Sequence, residues 1–72
     1  MGGHFTEADV DYYLLSDSMG FVRDNETAME MYFAIKSYES RYPNYYRVTL
    51  LREKFMQKID RLERLDFANN NN

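Results

Sequence analysis

The side chains with most to offer chemically are gathered in one stretch. Residues 41–55, RYPNYYRVTLLREKF, hold three tyrosines, three arginines and the chain's single proline. Tyrosine and arginine both fill an apolar contact and hydrogen-bond at its edge, which makes them common anchors of protein interfaces. A guanidinium group also clamps phosphate oxygens. The stretch therefore points to binding, with another polypeptide and a nucleic-acid backbone as competing partners.

Catalysis finds no comparable support. Ser16, Ser18, Ser37 and Ser40 have no placed histidine to activate them, because the sole histidine is His4 in a glycine-rich start. Asp9 and Asp11 are two apart, which on a helix turns them about 200° from each other, so they form no acid–base pair. The segment between Asp17 and Asp24 lacks the ligand spacing of a calcium loop, and GFVRDNE lacks the glycines and the lysine–serine pair of a phosphate loop. With no cysteine, disulfides and thiolate metal sites are excluded. The expectation is a protein with no catalytic residues, no metal and no cofactor.

Three helices would position the binding residues. Thr6 followed by Asp9 reads as a helix start, with Phe5 and Val10 placed to staple across it. Ala8, Tyr12, Leu15 and Met19 then recur at helical spacing, Val10 and Leu14 widen the apolar arc, and Gly20 offers a left-handed stop. Asp24 or Asn25 starts the second helix. Ala28, Met31, Ile35, Tyr38 and Tyr42 stripe it, while Met29, Tyr32 and Phe33 spread apolar surface around it, so it reads as the most buried of the three. Proline disfavours helix in the residue before it, which stops this element near Tyr42. Asn44 or Pro43 opens the third helix, with Asn44 able to cap it, and Val48, Leu51, Phe55, Ile59 and Leu62 form one stripe along it. The strand-like YYRVTLL loses its alternation at Leu50 and Leu51, and the helical stripe runs through it.

The expected fold is all-α. A small three-helix domain occupies residues 6–67, with helices near 7–18, 25–42 and 45–66 and the long C-terminal helix antiparallel to the second. Residues 1–5 read as a flexible N-terminus and 68–72 as a disordered polar tail. The expected core is Val10, Leu14, Ala28, Ile35, Val48, Leu51, Phe55, Ile59 and Leu62. On the third helix, Arg47, Lys54, Lys58 and Arg61 fall between about 220° and 280° from Val48, a basic flank able to contact phosphates. Flanks of amphipathic helices also carry such residues simply to cover apolar neighbours. Tyr46 and Leu50 lie opposite the core stripe and adjacent to each other, so Tyr45, Tyr46, Leu50 and Arg47 form the expected protein interface.

Charge is divided along the chain. Residues 1–36 carry two basic and seven acidic residues, and residues 37–72 carry seven basic and five acidic. The two halves are suited to attract each other, within one fold or across a dimer. With 72 residues and no disulfide, such a domain has little core to spare, and an oligomer is the expected source of extra stability. No apolar run approaches the ~20 residues that span a bilayer, and no signal segment opens the chain, so no membrane partner and a cytoplasmic location are expected.

The function expected from these features is a non-catalytic protein-binding or oligomerisation module, suited to regulating a larger protein. Two alternatives use the same surfaces. One is a helix-turn-helix-like DNA-binding protein working through the basic flank. The other is an acidic mimic that blocks a DNA-binding protein through Glu7, Asp11 and Asp17. The net charge of −3 makes nucleic acid the weaker partner.

Overall fold

The computed structural model describes residues 6–70, with side chains through Leu65. Three α-helices follow one another: α1 (Glu7–Ser18), α2 (Asn25–Arg41) and α3 (Tyr46–Asn70), with a 3₁₀ turn at Met19–Phe21 after α1. Among the described residues there is no strand, and no helix is long and apolar enough to cross a membrane. The helix α3 continues past residue 66, so its backbone includes residues 68–70 of the stretch read as a tail. Residues 1–5, with His4 and Phe5, and residues 71–72 lie outside the described residues.

Two reciprocal caps start the first two helices. The Thr6 hydroxyl accepts the Asp9 amide at 3.2 Å, and the Asp9 carboxylate accepts the Thr6 amide at 3.3 Å. At α2 the cap is Asp24, not Asn25: its carboxylate accepts the Thr27 amide at 2.9 Å, while the Thr27 hydroxyl accepts the Asp24 amide at 3.1 Å. Each pair satisfies amides that the first helical turn leaves without partners.

The connections depart from the expected ones. Gly20 does not reverse the chain through a left-handed residue. It lies inside the 3₁₀ turn, which closes with the Val22 amide donating to the Met19 carbonyl at 3.2 Å. The left-handed residue is Asn44, at φ 66°, which therefore forms the turn and does not cap α3. The Tyr45 amide donates to the Tyr42 carbonyl at 3.3 Å, so Tyr42-Pro43-Asn44-Tyr45 is a tight turn. Proline at its second position and a left-handed asparagine at its third are what a type II turn requires.

The core gathers Tyr12, Met19, Val22, Met31, Ile35, Tyr38, Val48 and Leu51, with Leu51 completely enclosed. Ala28, Phe55, Ile59 and Leu62 are half-buried against it. Val10 and Leu14, expected inside, are 48% and 60% exposed. The reason lies in their neighbours on α1. Glu7 and Asp17 flank the Val10–Leu14 arc, so burying it would strip water from two carboxylates. The opposite arc, through Ala8, Tyr12, Leu15 and Met19, goes inward with Asp9 and Asp11 at its edges, and these two carboxylates, unlike Glu7 and Asp17, meet partners from the rest of the chain in Tyr45, Arg47, Tyr42 and Arg41. Nor is α2 buried all round: Met29, Tyr32 and Phe33 are exposed.

Candidate functional site

The helix α1 is held by hydroxyls from the opening tyrosine stretch and its approach. Tyr38, buried at the end of its α2 stripe, donates its phenol to the Ala8 carbonyl at 2.7 Å. Tyr42 donates to the Asp11 carboxylate at 3.0 Å, and Tyr45 donates to the Asp9 carboxylate. The three acceptors lie within four consecutive residues of α1. The donors reach them because Tyr42, just past the end of α2, stays on the side of Tyr38, and the Asn44 turn returns Tyr45 to the same side. Together they form a clasp between the first helix and the junction of the other two.

Arg47 completes the clasp. Its Nε lies 3.0 Å from Asp9 Oδ1, a contact that is ionic and not a well-aligned hydrogen bond. Its guanidinium carbon sits 4.5 Å from the Tyr12 ring centroid, 5.1 Å from that of Tyr13 and 5.3 Å from that of Tyr46. A weakly hydrated planar cation among aromatic faces is favourably placed. Arg41 adds a looser contact to Asp11 at 3.5 Å. These pairs join the acidic first half of the chain to the basic second half, one of the two uses to which the divided charge is suited.

The clasp shifts its own ionisations. The Tyr45 hydrogen bond is the main cause holding the Asp9 carboxyl below 3.8, helped by the Thr6 backbone and Arg47. In return the bond to Asp9 raises the Tyr45 phenol. Burial pushes Tyr38 up to about 12, and burial followed by the Asp11 bond raises Tyr42. For Arg47, burial acts downward but bonding to Tyr13 and Tyr45 outweighs it, and the guanidinium stays charged.

The residues expected at a partner surface are therefore divided. Tyr45 and Arg47 are half-buried and engaged within the chain, whereas Tyr46 and Leu50 are 61% and 37% exposed. The basic flank divides similarly. Arg47 faces Asp9, Lys54 donates to the Ser16 hydroxyl at 2.7 Å, Lys58 is half-buried and Arg61 is exposed. Of the acidic face, Glu7 and Asp17 are exposed while Asp11 is taken up by Tyr42 and Arg41. Among the described residues no three His, Cys, Asp or Glu side chains cluster as a metal site would need.

A second surface lies where α2 meets α3. Tyr32, Ile35, Lys36, Arg52, Phe55 and Met56 line a groove of about 290 Å³. The Tyr32 ring packs on Phe33 at 5.5 Å and on Phe55 at 6.5 Å, and the Lys36 ammonium sits 5.8 Å from the Tyr32 ring centroid. Met56 in its lining is 69% exposed, and Met29 and Phe33, next to Tyr32 and Lys36 around α2, are exposed by 59% and 60%. Met56 was not anticipated from the sequence. Its signal was its position on α3, about 80° from Val48 and off the core stripe. Comparison with protein-family models, curated proteins and solved structures finds no match to this chain.

Proposed function

We propose that this chain is a non-catalytic helical module that binds protein, with a second copy of itself as its first partner. One observation carries the reading. Among the described side chains, eleven large hydrophobics are exposed, whereas nine hydrophobics are buried and one of those is only an alanine. Single exposed apolar residues are ordinary, but this many large apolar groups on the surface of so small a domain favours covering by a partner. The small core points the same way, since association adds stability that a short chain cannot supply alone.

We also read α2 and α3 as antiparallel. Arg52 pairs with Glu39, Tyr32 packs on Phe55, and Ala28 shares a cavity with Ile59 and Leu62. Residue numbers thus fall along α2 as they rise along α3. Contact with nucleic acid draws less support, because Arg47 and Lys54 are occupied within the chain. In this reading any regulatory role is exerted through the exposed apolar surfaces.

Sedimentation equilibrium from one to several hundred micromolar tests the proposal. The mass should climb above 8.7 kDa as concentration rises. A chain that stays at that mass throughout removes self-association. In parallel, duplex DNA at near-physiological salt should show no measurable binding; affinity that falls steeply with added salt would instead favour the phosphate-contacting alternative.

A further inference from the structure

We infer that the open α2/α3 face is the interface of a two-fold symmetric homodimer, with Arg52 of one copy set against the partner's Asp60. The inference rests on the self-association reading and adds the surface, the symmetry and the register. The centre of the face is apolar: Met29, Tyr32, Phe33 and Met56 are all about half exposed or more. Its ends differ in sign. Lys36 and Arg52 stand at one end, and Asp60 lies beyond Met56 at the other.

The spacing selects one arrangement. Arg52, Met56 and Asp60 are four residues apart in succession, so they form one line along α3. A two-fold axis crossing that line at Met56, perpendicular to the helix, sets Met56 on the partner's Met56 and Arg52 on the partner's Asp60. An axis parallel to the helix would set Arg52 on the partner's Arg52, which like charge opposes.

The second helix supplies an independent check. The Tyr32–Phe55 packing places Met56 level with residues 31–32 of α2. An axis at the level of residue 31 sets Met29 against the partner's Phe33, filling apolar surface with apolar surface. It also brings Lys36 level with the partner's Glu26. Both side chains are exposed, and Lys36 makes no ion pair among the described residues. One axis thus satisfies both helices, and each contact occurs twice, as a closed two-fold interface requires.

The test uses the full chain, with helical content followed by circular dichroism. Arg52 pairs with Glu39 and Asp60 with Arg64 at the surface, so changing either should leave the helices formed. The wild-type chain should dimerise, and Phe33→Asp or Met56→Glu should weaken the dimer by at least roughly 30-fold while helicity is kept. R52E alone and D60R alone should each weaken it by roughly tenfold. Mixing the R52E chain with the D60R chain should give a dimer clearly stronger than either variant alone, because both contacts across the axis then pair opposite charges, and the like-charged neighbours Glu39 and Arg64 within each chain hold it below wild type. A mixture no stronger than either variant overturns the register. A dimer that survives Met56→Glu but is lost on Leu50→Asp overturns this surface and leaves self-association standing. A wild-type chain that is monomeric at every concentration overturns both.

Discussion

The two sides of α3 are built on opposite principles. Toward α1, polar and directional contacts are added to the core packing: three phenols donate to one carbonyl and two carboxylates, and one guanidinium sits among aromatic rings. Toward α2, a packed seam opens outward into exposed methionines and aromatics with a single ion pair at one end. On the first side the three phenols have acceptors within the chain, and Arg47, whose buried Nε makes no hydrogen bond, is held by its ionic contact to Asp9 and by the surrounding rings. The second has apolar surface and no cover. Tyrosine and arginine, which by composition mark binding surfaces, here serve mainly to close the fold. Methionine and phenylalanine, on a helix whose pattern suggested burial, are left for contact.

Mutation can break that contrast, and the largest effect should come from the shared core. Leu51→Ala should cost about 3–5 kcal/mol by denaturant titration, because Leu51 is fully enclosed between both sides. That is a large part of what a small domain has. Phe55→Ala should cost less, since Phe55 is half-buried and not enclosed.

On the clasped side, Tyr38→Phe should cost about 1–2 kcal/mol, as the phenol is replaced at constant shape and the Ala8 carbonyl loses a donor. Tyr45→Phe should cost less than Tyr38→Phe, its site being nearer water. On the open side, Phe33→Ala should change the stability of the isolated monomer by no more than about 0.5 kcal/mol. If Phe33→Ala unfolds the monomer while Tyr38→Phe does not, the contrast is wrong.

Acid and base sharpen it further. The folded-state pKa of Asp9 lies below its unfolded value of 3.8, so its stabilisation is complete above that pH and is lost as pH falls through the lower folded value. Tyr38 works in the other direction. Its pKa rises from 10.0 to about 12, so its contribution is complete below pH 10 and is lost as pH climbs toward 12. Thermal melts across pH should show acid loss that Asp9→Asn reduces and alkaline loss that Tyr38→Phe reduces. The smallest effect should follow neutralising Lys58 and Arg61, which leaves folding and self-association within error if the basic flank only covers apolar neighbours.

Much of the fold was legible where a local rule governs it. The Thr6–Asp9 spacing announced the first helix start, Asp24 and Asn25 bracketed the second to within one residue, and Pro43 announced the break before α3. Rules that allow two answers decided less. Gly20 and Asn44 can both adopt a left-handed backbone, and only the geometry of closing α2 onto α3 assigns it to Asn44. The helix α1 carries apolar residues on two sides, each flanked by carboxylates, and the distant phenols and guanidinium groups that meet Asp9 and Asp11 settle which side goes in. The clasp itself was illegible. Nothing local links Tyr45 to Asp9, 36 residues away, and that contact turned an expected partner surface into an internal one.

The clasp also has an optical consequence. The sequence contains seven tyrosines and no tryptophan, so tyrosine emission is not drained into an indole and can be observed directly. A phenol bonded to a carboxylate gives up its proton readily when excited and loses emission by doing so. In the folded chain, Tyr42 and Tyr45 are held against Asp11 and Asp9 in this way. Undocking of α1 should therefore brighten the protein without any added dye. Asp9→Asn, by removing the proton acceptor, should brighten it while α1 is still in place.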